Sequence, residues 1–261
     1  MYSVDDLAQR ILQEHDSRAR FTSIARDAKI TGVGPAYDIQ SAYVERLLAR
    51  ERTTPAGYKI GLTSPRMQEM CGIGHPIAGV VFDNRVHSSG LKVSLPEHVH
   101  LGVEFEIGVR LGRDIGTGNC PQNVAEMSQA VAAICPALEL VEDRYADYRD
   151  LDVLSLIADN SWNAGAVLGP FVTHWPDLAS VLGVVEQDGA QIDSGYGREV
   201  LGHPFEPLLW LARHLTDRGQ VLREGQIVLT GSLVRTRFPA PGQHYRFTLE
   251  GLGSVEVQFE A

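Results

Sequence analysis

Cysteine is scarce in this chain of 261 residues: Cys71, Cys120 and Cys135 are odd in number and never closely paired. They match neither a zinc-ligand spacing nor a secreted disulfide framework, and read as reduced thiols. No apolar run approaches the ~20 residues that a membrane-spanning helix needs, and the N-terminus opens on acidic, helix-patterned residues. Basic residues are also in deficit, with 23 Lys plus Arg against 33 Asp plus Glu and no Lys/Arg-rich block. A nucleic-acid surface is therefore not expected, nor a membrane contact, and the expected location is cytoplasmic. Several catalytic signatures are missing too: there is no Gly-x-Ser-x-Gly elbow, no P-loop, no Gly-x-Gly-x-x-Gly after a strand and no His-Glu-x-x-His.

What remains is ordinary globular composition, 44% hydrophobic and 21% charged, in a length that suits one sizeable core. Helical patterns dominate the first part. Val4 to Leu12 has helical spacing behind a Ser3 N-cap, and Asp38 to Arg50 puts Ile39, Ala42, Tyr43 and Leu47 on one face, with Gly32 to Pro35 separating the two. A short helix is expected over Pro65 to Met70, capped by Ser64, and others over Val124 to Ile134 and Pro204 to Leu215. Strands follow the alternation of Ile227 to Leu229, Tyr245 to Leu249 and Val255 to Phe259, and Asp188-Gly189 marks a hairpin between Val184 and Ile192. The expected fold is α+β: a mixed, curved sheet surrounded by helices, one domain over 1–261 with a helical region at 1–55 and a sheet core at 56–261.

The chemistry concentrates in Leu101-Gly-Val-Glu-Phe-Glu-Ile-Gly-Val-Arg110 and Pro136-Ala-Leu-Glu-Leu-Val141. Both read as strands, so Glu104 and Glu106 project to one side, and Glu139 supplies a third carboxylate. Among apolar neighbours such groups must be neutralised, paired or metal-bound, and an all-oxygen set suits Mg²⁺ or Mn²⁺. The same spacing also fits an outward-facing pair balanced by Arg110 and Arg113. His98 and His100 offer imidazole ligands, which would favour zinc or iron, or are exposed loop residues after Pro96. Lys59, flanked by Tyr58 and Ile60, either snorkels to solvent or serves a pocket.

Further motifs give these residues a context. Gly57-Tyr-Lys-Ile-Gly-Leu-Thr-Ser64 with Pro65-Arg-Met-Gln68, Gly72-Ile-Gly-His-Pro76, Ala158-Asp-Asn-Ser161, Val167-Leu-Gly169, Leu201-Gly-His-Pro204, Leu229-Thr-Gly-Ser232 and Gly251-Leu-Gly-Ser254 occur in this order. Together they resemble the 2-keto-4-pentenoate hydratase and 4-oxalocrotonate decarboxylase family, within the fumarylacetoacetate hydrolase superfamily. The resemblance implies a β-roll core, a divalent ion on Glu104, Glu106 and Glu139, and a homo-oligomer. It also implies catalysis by Lys59, a substrate pocket near Leu62, Ser161 and Ser232, and a structural or substrate-side role for His203. Its substrates are 2-oxo acids or their dienols from meta-cleavage of aromatic rings.

One departure bears on the reaction. Hydratases of this kind have Pro-Asp before an aromatic residue and Gly, whereas this chain reads Pro76-Ile77-Ala78-Gly79. The pocket aspartate is replaced by a residue that cannot move a proton, and the family's decarboxylases tend to be apolar here. Leu229-Thr-Gly-Ser232 and Asn163-Ala-Gly165 look more like a hydratase. The resemblance thus implies hydration first, with decarboxylation of 2-oxohex-3-enedioate, acylpyruvate hydrolysis and a non-catalytic ligand-binding subunit as alternatives. A second substrate carboxylate would be received by Arg66, Arg144, Arg149, Arg235 or Arg237, unless these are surface residues.

Overall fold

The computed structural model describes residues 2–261. Helices come first, as the spacing predicts. Helix α1 (Val4–Asp16) starts in a capping box between Ser3 and Asp6 and buries Leu7, Ala8, Ile11 and Leu12. That stripe packs with Ile39, Tyr43 and Leu47 of α3 (Val33–Glu51), and Phe82 and Ala158 complete a small core of their own. Gly32 to Pro35 does not separate the helices as expected. Pro35 lies in the first turn of α3, where its missing N–H has no intrahelical partner to lose, and the separator is residues 17–32 with a one-turn α2 (Ile24–Asp27).

Among the described residues, twelve strands form two mixed sheets. The seven-stranded sheet runs in the order β2 (Ile77–Phe82), β1 (Pro55–Gly61), β10 (Ile227–Ser232), β5 (Leu101–Leu111), β6 (Val131–Glu142), β7 (Asn163–Leu168), β3 (Val86–Ser88). The five-stranded sheet runs β4 (Leu91–Ser94), β12 (Gly253–Glu260), β11 (His244–Leu249), β8 (Leu182–Gln187), β9 (Ala190–Tyr196). Positive φ at Asp188 and Gly189 closes the β8–β9 hairpin in the left-handed turn that matches strand twist. The expected helix over 124–134 is cut short. It spans only Val124–Ser128, because β6 begins at Val131 and takes Ile134 into the ladder with β5, so strand pairing outweighs the helical spacing.

The larger sheet curls. Strands β2 and β3 lie at its opposite edges, yet only Asp83–Arg85 joins them, so the edges are drawn close together. Side chains from β2, β6, β7 and β10 meet inside the curl as a cluster of Val81, Cys135, Ala137, Ala166, Ile227 and Leu229. Small residues make this possible: a Cβ at Gly108 would stand 2.9 Å from the Cys135 sulfur. The other face of β5 presents Val103, Phe105, Ile107 and Val109 to the main core, where Phe105 meets Phe247 of the second sheet at 5.7 Å between ring centroids. Alternation along β5 thus sends every odd residue into the main hydrophobic core. Its even residues, Glu104 and Glu106, face the inside of the curl. No helix among the described residues is long and apolar enough to cross a membrane.

A buried ionic group ties the N-terminal helices to this frame. Arg144, 1% exposed, donates to Asp159 at 2.6 Å, and the other Asp159 oxygen lies 2.6 Å from His15 of α1. Burial alone would raise the Asp159 pKa, but His15 and Arg144 outweigh it and hold the carboxyl below its ordinary value. A depressed folded-state pKa contributes stability that is present at neutral pH and lost as pH falls below about 4 through the folded value. Asp159→Asn leaves the guanidinium buried without its partner, with Glu14 at 3.7 Å compensating in part. The expected loss in urea unfolding at pH 7 is about 3 kcal/mol, the low end for breaking a buried pair.

Candidate active site

The two strands that carry the carboxylates are antiparallel neighbours, with Glu104 opposite Glu139 and Glu106 opposite Ala137. Cross-strand partners share a face, so three acids meet on two adjacent strands. One oxygen of each lies within 4.8 Å of the others. Glu106 and Glu139 are 0% exposed, and Glu104 is partly buried at the open side.

Each carboxylate is held by one of its oxygens. The Thr236 hydroxyl donates to Glu104 Oε1, and the Gly231 amide donates to Glu106 Oε2 at 2.7 Å. Glu139 Oε1 accepts from Asn163 Nδ2 at 3.0 Å and faces Lys59 Nζ at 3.1 Å. Glu106 Oε1 and Glu139 Oε2 are buried with no hydrogen-bond partner. Unpaired buried carboxylate oxygens are costly in any protein, and here two of them belong to one cluster.

The electrostatics match. Burial pushes Glu106 well above the usual carboxylate range, and the charges of Glu139 and Glu104 push it further. Burial likewise lifts Glu139 to about 7, against the pull of Lys59 and Asn163. Lys59 is 4% exposed; burial favours its neutral form, but Glu139, Glu104 and Glu106 together outweigh this and raise its pKa. Three carboxylates against one ammonium leave an unmet demand for positive charge. Oxygen donors alone, two of them orphaned, fit a hard divalent ion such as Mg²⁺ or Mn²⁺.

The backbone of Leu229-Thr-Gly-Ser232 explains its glycine. Gly231 has φ +114°, and a Cβ there would lie 2.1 Å from Thr63 Oγ1, so only glycine lets this amide reach Glu106. Ser232 stands opposite Glu106, but its Oγ accepts from the Phe105 amide at 2.9 Å. Ser161 has φ +50° and donates its hydroxyl to the Ala78 carbonyl at 2.9 Å. Both serines are spent on backbone. Leu62, also at positive φ, is buried at the end of the β1 segment, where its carbonyl accepts from Gln68. Ile77 is 1% exposed beside Lys59: the Cβ position of Gly61 is 3.3 Å from Ile77 Cγ1 and 3.4 Å from Lys59 Nζ.

Other sequence candidates fall outside the cluster. The Glu pair does not face outward toward arginines, since Arg110 lies 3.7 Å above the Phe171 ring. His98 and His100 are part-buried, not exposed, and pair with Glu142 and Asp143. His203 accepts from the Phe205 amide at 3.0 Å, a bond that shapes the start of the helix Phe205–Asp217. Arg144, Arg149 and Arg237 are committed to Asp159, Asp147 and Asp193, while Arg66 and Arg235 are exposed. Asn163, Thr236 and the Gly231 amide were missed as site groups by sequence reasoning. Thr236 lies 132 residues from Glu104, and no local signal links them. A groove of about 700 Å³ lined by Lys92, His244, Glu256 and Gln258 lies on the second sheet, and none of the cluster residues lines it.

Residues 67–260 match the family described as fumarylacetoacetate (FAA) hydrolase C-terminal. The chain belongs to the fumarylacetoacetate hydrolase family. Within it, the chain is 32% identical to 2-keto-4-pentenoate hydratase of Paraburkholderia xenovorans (strain LB400) over 259 residues, covering 98% of this chain and 95% of the relative. It is 29% identical to 4-oxalocrotonate decarboxylase of Pseudomonas putida, covering 88% of this chain and 89% of the relative. Among solved fumarylacetoacetate hydrolase folds, 4-oxalocrotonate decarboxylase from Pseudomonas putida G7, complexed with magnesium and adipate, superposes with a TM-score of 0.90 at 27% identity, over 98% of this chain and 97% of that one.

Proposed function

We propose that this chain is a metal-dependent lyase that adds water to a 2-hydroxydienoate, or to its unsaturated 2-oxo tautomer, giving a 4-hydroxy-2-oxo acid in aromatic meta-cleavage degradation. The observation that carries this reading is the cluster of Glu104, Glu106 and Glu139 with two orphaned oxygens, beside a buried Lys59. The relatives named as 2-keto-4-pentenoate hydratases support it. Glu104, Glu106 and Glu139 would hold a divalent ion, whose chemistry is Lewis-acid stabilisation of negative charge on the substrate's 2-oxygen.

The chain's own residues do the rest. In a C5 dienol the 2-hydroxyl gives up its proton and C5 gains one, producing a conjugated enone; water then adds its oxygen to C4 and a proton to C3. Lys59 is the group placed for these transfers, or for holding the substrate carboxylate, since it is a buried ammonium among the metal-site carboxylates. Lys59 is buried, and Ile77 supplies apolar surface next to it at Gly61. We read residues 1–261 as one catalytic domain acting as a homo-oligomer, and the free thiols of Cys71, Cys120 and Cys135 support a reducing, cytoplasmic setting.

Ile77 favours a second reading, decarboxylation of 2-oxohex-3-enedioate. Loss of a distal carboxylate leaves its electron pair to the enone and asks less of a pocket acid. Side-by-side assays with Mg²⁺ and Mn²⁺ decide. Consumption of 2-hydroxypenta-2,4-dienoate to 4-hydroxy-2-oxopentanoate without gas is the expected result. Carbon dioxide from the dioate with the dienol untouched would make it a decarboxylase, and no turnover of either would leave a ligand-binding protein.

A further inference from the structure

We propose that Asn163 is a positioning residue, which holds Glu139 by one oxygen so that the other stays turned to the metal and Lys59 is free to leave for the substrate. The inference rests on the metal-lyase reading above. Glu139 Oε1 has two donors, Asn163 Nδ2 at 3.0 Å and Lys59 Nζ at 3.1 Å, whereas Glu139 Oε2 has none. Were Lys59 the sole donor, its departure toward substrate would strip a fully buried carboxylate of its last hydrogen bond. A neutral amide on the same oxygen removes that obstacle. It adds no charge, so it keeps the carboxylate oriented without competing with the cation for it.

The chain goes to some length to put this amide in place. Asn163 follows three consecutive non-glycine residues in the left-handed region, Asn160, Ser161 and Trp162, with φ of 50°, 50° and 60°. Such residues carry roughly 1–3 kcal/mol of strain each and persist only where their surroundings over-determine them. The surroundings here do so. The Asn160 side chain accepts from the Val80 amide at 2.7 Å and donates to the Val80 carbonyl at 2.9 Å, and Ser161 donates to the Ala78 carbonyl. Gly79 between them is required, since a Cβ there would meet the Asn160 carbonyl at 2.4 Å. What this clamped turn delivers is Asn163, 7% exposed, its Nδ2 on Glu139 and its Oδ1 buried without a protein donor.

The test uses Asn163→Leu, which keeps the branched shape and loses the donor, and Asn163→Ser, whose hydroxyl is too short to reach Glu139. The second variant carries the experiment if the first does not fold, as judged by circular dichroism. Calorimetric titration with Mg²⁺ in the absence of substrate should show affinity weakened about 10–100-fold, the usual effect of removing a group that orients a metal ligand. Turnover losses of the variant and of Lys59→Met should be non-additive in the double variant, because both act through Glu139. Unchanged Mg²⁺ affinity in a folded variant, or additive losses, overturns the proposal while leaving the metal reading intact. A parent protein that binds neither Mg²⁺ nor Mn²⁺ overturns both.

Discussion

Glu106→Gln is expected to abolish Mg²⁺ binding and turnover while leaving the apo protein at least as stable as the parent. Shape is kept, and the amide oxygen can still accept from Gly231, which turns the NH₂ group, a donor, toward the place where the orphaned Oε1 faced the cluster. The cluster loses a ligand and one of its three negative charges together. Stability should move the other way. A fully buried carboxylate whose pKa is pushed up by burial, Glu139 and Glu104 opposes folding at pH 7, and the neutral amide relieves this. Thermal unfolding shows both effects at once. At a Mg²⁺ concentration 100 times its Kd, the parent should gain about 2.7 kcal/mol, and the variant should gain nothing. An equal Mg²⁺-dependent shift in the variant, or full activity in chelator-treated buffer, would exclude Glu106 as a ligand.

That two signals of opposite sign come from one substitution reflects how the site is built. The alternation of Leu101 to Arg110 was legible because a strand sorts odd from even residues by geometry alone, and a greasy odd face leaves the even glutamates only one place to go. Their approach to Glu139 was not legible from periodicity. It depends on the β5–β6 register, which sets Glu104 against Glu139 across 35 residues of chain. The curved, mixed sheet is as expected, but what closes it was hidden for a similar reason: the short Asp83–Arg85 link joins strands at opposite edges, a property of strand order. Helix α3 began five residues earlier than its apolar pattern suggested, since Gly34 and Pro35 read as breakers but are tolerated in a first turn. Thr236 and the Asn163 side chain escaped notice because a hydroxyl or amide announces no partner until the fold brings one.

Lys59→Met should separate catalysis from charge balance. Methionine matches the lysine stem in a 4%-exposed site flanked by Ile77, so the packing survives and only the ammonium goes. If Lys59 transfers a proton or holds the substrate carboxylate, turnover falls ~10²–10⁴-fold, the range for losing a general acid–base group. Metal binding should respond in the opposite sense to Glu106→Gln. Removing the one ammonium that faces Glu139 makes the three-carboxylate cluster more negative, with Asn163 still holding Glu139 Oε1, so Mg²⁺ affinity should be kept or increased. The rival role for Lys59 is a countercharge that merely makes the buried acids tolerable. In that case the apo variant is destabilised, and saturating Mg²⁺ supplies the missing positive charge and restores activity. Turnover at saturating Mg²⁺ is therefore the deciding measurement: a deficit of a hundredfold or more places Lys59 in the reaction, and recovery to within tenfold of the parent confines it to charge balance.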